Sequence, residues 1–119
     1  MEKQENEGGF LICTTDMPHG YRVKEIKGVV WGSEVRTKSF SSNLAATFRT
    51  FQGGEVPELT NLVRQARVDT VKRMVANAKR MGANAVIGMK LSATVVRTNI
   101  AEFIAYGTAA IVEKEHGKG

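Results

Sequence analysis

A chain of 119 residues, 42% hydrophobic and 24% charged, is long enough for one domain with a real core and too short for two. Its single cysteine excludes an internal disulfide and a cysteine-based zinc pattern, and its longest apolar run, Ala101 to Val112, is broken by Glu102 and falls short of the roughly 18–20 residues that cross a bilayer. The net charge of +5 permits a polyanionic partner without requiring one, because no Lys/Arg run exceeds two residues, and the absence of a secretory pattern makes the cytoplasm the expected compartment.

The first stretch, MEKQENEGG, is polar, lacks a packing face and ends in two glycines, which predicts a disordered leader over 1–9. FLICTT (Phe10–Thr15) is rich in β-branched and aromatic residues and predicts a short strand. DMPHG then supplies a turn through Pro18 and Gly20. In YRVKEIKGVVWGSEV, Val23 and Ile26 differ in parity, so a second strand needs a bulge near Gly28 to keep one apolar face. Phe40, Leu44, Phe48 and Phe51 recur at steps of four, four and three, the period of a short helix. Ser39 or Ser41 would cap it, and QGGE would end it.

Pro57 opens a long helix that reaches about Met81, since a proline at the first helical position loses no hydrogen bond. Leu59, Leu62, Val63, Ala66, Met74, Ala78 and Met81 follow the 3.6-residue period, and Val68, Val71 and Val75 widen the apolar face. Arg67 and Asn77 project into that apolar half. NAVIGMKLSATVV predicts a strand with Ala85, Ile87, Met89, Leu91, Ala93 and Val95 on one face. RTN (Arg97–Asn99) is hairpin-sized, and AEFIAYGTAAIVE is a last strand apolar on both faces. Residues 115–119 are expected to be a disordered tail, which leaves a single domain over 10–114.

The expected fold class is therefore α+β: an antiparallel sheet with one long helix and one short helix. A helix about 10–12 Å wide cannot cover four strands spaced about 4.8 Å apart. A wide apolar helix and a two-sided last strand need further cover, which predicts a homo-oligomer.

The chemistry-bearing residues are few. Gly82 and Gly88 flank ANAVI, but a phosphate loop precedes a helix, whereas Gly82 follows one and reads as a C-terminal cap. Gly88, inside a strand, allows close approach of a neighbour. Cys13 and His19 could meet across the turn as nucleophile and base or as two metal ligands, but two ligands make a poor site, and Cys13 sits in an apolar run. Glu55, Glu58, Asp69 and Glu102 do not pair as acid and base. Lys72, Arg73, Lys79 and Arg80 form a basic strip on one helix, with Trp31 and Tyr21 as stacking groups, should a nucleic acid be the partner. A solvated helix face explains the same strip more simply.

TTDMPHGYRV, GVVWG, LAATFR with the following GGE, LVRQARVDTV and MGANAVIGMKL, in that order over Phe10–Glu113, resemble the YbjQ-like family of small bacterial proteins. The resemblance implies a small α+β subunit, similar to the dodecin type, assembled into a pentameric ring, and the lack of a catalytic constellation makes a non-enzymatic role the expectation. It also implies a heavy-metal-binding label, and so a divalent or heavy metal ion as cofactor. Arg49, Glu55 and Arg67 match the family pattern and become ligand or interface candidates together with Asn84, which stands where many relatives have Asp. Ser42 and Asn43 replace an Arg-Asp pair and Leu59 replaces an aromatic residue, which removes carboxylates a metal would use. Arg67 is expected to have a buried partner, either Glu55 or a carbonyl of a neighbouring subunit.

Overall fold

The computed structural model describes the backbone of residues 3–6, 9–37 and 57–115, and side chains over 9–37 and 61–115. The elements are β1 (Lys3–Asn6), β2 (Phe10–Cys13), β3 (Tyr21–Thr37), α1 (Pro57–Arg80), β4 (Ala85–Arg97) and β5 (Ile100–Lys114). They form one five-stranded sheet in the order β1-β2-β4-β5-β3. The class is α+β, as expected, but the sheet is mixed rather than antiparallel, because β2 runs parallel to β4 through Leu11↔Ala85 and Ile12↔Val86. The physical reason is the long path through β3 and α1, which lets β2 lie beside β4 without a hairpin. The described residues contain one helix, so the two-helix expectation is not borne out; its short member, over 40–51, lies outside the described residues. Lys3–Asn6 pairs antiparallel with β2 where a structureless leader was expected. Backbone pairing needs no apolar pattern, and Gly9, at φ 77°, supplies the turn.

The long helix ends as its sequence predicts. Gly82 has φ 86°; its N–H donates to Lys79 O at 2.9 Å and the Ala83 N–H to Ala78 O at 3.1 Å. Those two bonds form a Schellman cap, which a residue with a Cβ would strain.

Register shifts set the faces of the sheet. The β3–β5 register shifts between Val23 and Glu25 and again between Ile26 and Gly28. The first shift puts Val23 and Ile26 on one face, and the second is the bulge expected near Gly28. On β4 the register shifts between Ile87 and Lys90, and Gly88 there has φ 63° and donates its N–H to Thr15 O. This bulge overturns the single apolar face read over Ala85–Val95, since one extra residue inverts the parity. Ala85 and Ile87 belong to a cluster with Leu11, Cys13, Ala110 and Val112 on the outer side of the sheet. Leu91, Ala93 and Val95 pair with Ala105, Phe103 and Ala101 on the helix side.

The main core lies between α1 and the sheet: Met74, Val75 and Ala78 pack on Val30, Val86, Ala105 and Ala109, with Phe10 and Ile12 from β2. A second patch joins Val63 and Ala66 to Ala101 and Phe103. Thr70, fully buried on the helix, satisfies its hydroxyl by donating to Ala66 O at 2.6 Å. The helix seats on β3 at Gly32, where a Cβ would lie 2.3 Å from Met74 N and 2.8 Å from Thr70 O. Seated over β3 and β5, α1 leaves Leu91 of β4 and Val68 of its own flank exposed.

Candidate functional site

Gln65, Asp69, Arg73, Asn77 and Arg80 recur along α1 at steps of four, four, four and three, which places them on one stripe. That stripe faces β3, the outermost strand. Glu34 and Arg36 of β3 share the parity of buried Val30 and Gly32 and so meet the helix. Arg36 Nη2 bridges Glu34 Oε2 at 2.8 Å and Asp69 Oδ2 at 2.5 Å. Gln65 Nε2 donates to Asp69 Oδ1 at 3.0 Å, and Arg73 Nε lies 2.8 Å from Glu34 Oε1. That last contact is a charge contact rather than an aligned bond, because Glu34 Oε1 and Arg36 Nε are both buried without a directed hydrogen bond. Low solvent access strengthens the attraction and makes the two unsatisfied atoms costly.

Beyond this network the stripe opens into a cleft of about 290 Å³, lined by Trp31, Gly32 and Ser33 of β3 and by Arg73, Asn77 and Arg80 of α1. Asn77 Nδ2 donates to Trp31 O at 2.8 Å, and its Oδ1 accepts from Arg80 Nη1. The amide thus ties the helix to the edge strand and orients one guanidinium. Arg73 and Arg80 are the charged groups in the lining, and among the described residues no carboxylate pairs with Arg80. The wall is cationic, polar and preorganised by one contact to each arginine.

The residues singled out in the sequence fall in several places. Arg49 and Glu55 lie outside the described residues. Arg67 is exposed, because the sheet covers only one side of the helix, and of its two expected partners Glu55 lies outside the described residues while the other belongs to a neighbouring subunit. Asn84 holds the frame: its Nδ2 donates to Val112 O at 2.9 Å, its Oδ1 accepts from the Val112 N–H at 2.8 Å, and its carbonyl accepts from the Leu11 N–H. It joins β2 and β5 at the end of the helix. Cys13 is 2% exposed in the outer-side cluster, its thiol donating to Thr15 O at 3.4 Å, while His19 is exposed in the turn. The basic strip divides: Arg73 and Arg80 line the cleft, whereas Lys79 Nζ stands 5.8 Å from the Phe10 ring centroid on the opposite flank, and Lys72 is exposed. Trp31 is at the cleft and Tyr21 packs on the outer-side cluster. Sequence reasoning missed Glu34, Arg36 and Asn77 as partners. The alternation of Glu34 and Arg36 with Val35 was the available signal, but two upstream bulges hide which parity faces the helix.

A family model described as "Putative heavy-metal-binding" matches residues 10–113. A UPF0145 protein of Sulfurisphaera tokodaii is 43% identical over 108 residues, covering 91% of this chain and 95% of the relative. Another from Thermotoga petrophila is 43% identical over 105 residues, 88% of this chain and 99% of the relative. A crystal structure from Pediococcus pentosaceus, of a protein of unknown function in the DUF74 family, superposes with a TM-score of 0.61 at 17% identity, over 88% of this chain and 99% of the other. At that identity the likeness shows the fold. The heavy-metal description can be tested on the donors present. Among the described residues no three His, Cys, Asp or Glu side chains cluster, and the one thiol is buried among apolar groups. These residues do not fit a metal held by a single chain. No helix among them is long and apolar enough to cross a membrane.

Proposed function

The chain belongs to the YbjQ-like (UPF0145) family, and on that premise we propose that it is a non-enzymatic subunit that assembles with copies of itself and binds a small ligand beside the surface where copies meet. The pentameric, dodecin-like ring implied by the sequence resemblance is the assembly this reading adopts. The observation that carries it is a row of exposed apolar side chains on the outer side of the sheet. Ile26, Val29, Trp31 and Val35 of β3 are 56%, 66%, 57% and 60% exposed, and Tyr106, opposite Trp31 on β5, is 42% exposed. Burying the remaining area of four such side chains contributes roughly 4–7 kcal/mol, at about 1.5–3 kcal/mol for each full burial. That only reaches the low end of the about 4–15 kcal/mol that association costs. The open edge of β3, whose 17 residues pair on one side only, supplies the further contacts.

Light scattering after size exclusion tests this reading. The wild type should elute as a multiple of 13.0 kDa, and Trp31→Lys should shift it to the single-chain mass while leaving the far-ultraviolet spectrum unchanged. A wild-type monomer at micromolar concentration would sink the proposal. A metal, in this reading, would need donors from more than one chain. Elemental analysis of untagged protein should accordingly show metal only in the assembled fraction. The nucleic-acid alternative is the weaker one, since Lys72 and Lys79 do not continue the track of Arg73 and Arg80.

A further inference from the structure

We infer that the cleft between α1 and the edge of β3 is a receptor for a small oxyanion, the phosphate, sulfate or carboxylate group of a small molecule, with Arg73 and Arg80 as its paired ligands. The inference rests on the binding role proposed above and names its ligand class. Arg73 and Arg80 stand seven residues apart on one stripe, about 10.5 Å along the helix axis, and both line the same cleft. Two long side chains at that spacing can close on one group. Each guanidinium has five N–H donors. Arg73 holds Nε in charge contact with Glu34, and Arg80 commits one Nη1 hydrogen to Asn77, so the forks remain available while their stems are held.

Such a fork matches an oxyanion in two parallel bonds, which is stronger and more directional than a lysine contact. The Asn77 amide, itself anchored on Trp31 O, keeps Arg80 from collapsing onto solvent. The lining holds two cations and no carboxylate, and although Glu34 stands behind Arg73, Arg80 has no such counter-charge among the described residues, so the cleft favours anions. Its volume of about 290 Å³ is at the small end of ligand pockets, about 300–1,000 Å³. That admits a compact metabolite-sized acid. The Trp31–Ser33 wall belongs to the edge strand on which the exposed apolar row lies, so ligand binding and assembly share β3.

Trp31 gives the cleft its carbonyl, while its side chain lies opposite Tyr106 on the outer face, so occupancy is read by calorimetry rather than by its fluorescence. The test is isothermal titration calorimetry of the full-length protein at constant ionic strength with sodium phosphate, sodium malonate and sodium chloride. Saturable heat of binding with phosphate or malonate, absent with chloride, is expected, and the two arms tell a phosphoryl ligand from a carboxylate one. Arg73→Gln and Arg80→Gln should each weaken the apparent affinity at least tenfold, whereas Lys72→Gln and Lys79→Gln should change it less than twofold. Light scattering on the same samples separates this inference from the assembly on which it rests. An intact assembly without saturable binding up to 10 mM, at ~10 mM an upper limit for a specific site, overturns the oxyanion site and leaves the assembly standing. Equal weakening by all four substitutions, dissociation of the assembly by Arg80→Gln, or a DNA duplex binding over a hundredfold more tightly than phosphate would each overturn it as well.

Discussion

Gly32→Ala should be among the most damaging single-methyl changes in the protein. The added Cβ would lie 2.3 Å from Met74 N, 2.8 Å from Thr70 O and 2.9 Å from Arg73 C, where ordinary contact begins at 3.4 Å. The shortfall against Met74 N is 3.4 − 2.3 = 1.1 Å, and all three obstacles are helix backbone, so no rotamer change relieves it. The helix must lift by about 1 Å, and a gap of that size forfeits a quarter to a half of each dispersion contact across the interface. Met74, Val75 and Ala78 would separate from Val30, Ala105 and Ala109. Overpacking of this kind costs about 1–3 kcal/mol, and an immovable backbone puts Gly32→Ala near 3 kcal/mol. For a domain of this length that is a fall in Tm of about 12 °C, at roughly 4 °C per kcal/mol. Thermal unfolding followed by circular dichroism, at one protein concentration for both proteins, is the assay. Gly82→Ala is the matched control, because its strain is local to the helix cap and costs only about 1–2 kcal/mol. A Gly32→Ala protein melting within about 2 °C of wild type would mean that α1 does not cross β3 where described.

Asn84→Asp should destabilise by about 1–3 kcal/mol in urea unfolding, since a carboxylate can still accept from the Val112 N–H but cannot donate to Val112 O. Arg36→Ala should cost about 1–3 kcal/mol, discounted from a fully buried pair because its side chain is 24% exposed. Adding Glu34→Gln to it should recover part of that loss, and a purely additive double-mutant cycle would refute the charge network. Cys13 should resist a thiol reagent in the native protein and react fully in denaturant; prompt native labelling would contradict its burial among Leu11, Ile87 and Val112.

Several features were legible because they depend on neighbours in sequence. The helix Pro57–Arg80, its proline start and its Gly82 cap follow from propensity and backbone sterics alone. The two-sided last strand was equally plain, and it sits inside the sheet between β4 and β3. Reading failed where a bulge counted. At Gly88 one extra residue moved Leu91, Ala93 and Val95 to the opposite face from Ala85 and Ile87, and two bulges upstream concealed that Glu34 and Arg36 face the helix. The exposure of Arg67 was hidden for a different reason: a periodic pattern gives the width of an apolar face but not how much of it one sheet covers.

The sequence by itself thus determined the α+β class, the family and the long capped helix, because hydrophobic period, proline and glycine act over a few residues. Tertiary structure alone decided the mixed strand order, the structural role of Asn84 and the division of the basic strip into a cleft pair and an opposite flank. Those depend on which strand lies beside which and on where the backbone of α1 touches Gly32, and such contacts join residues some 40 positions apart that no local pattern relates.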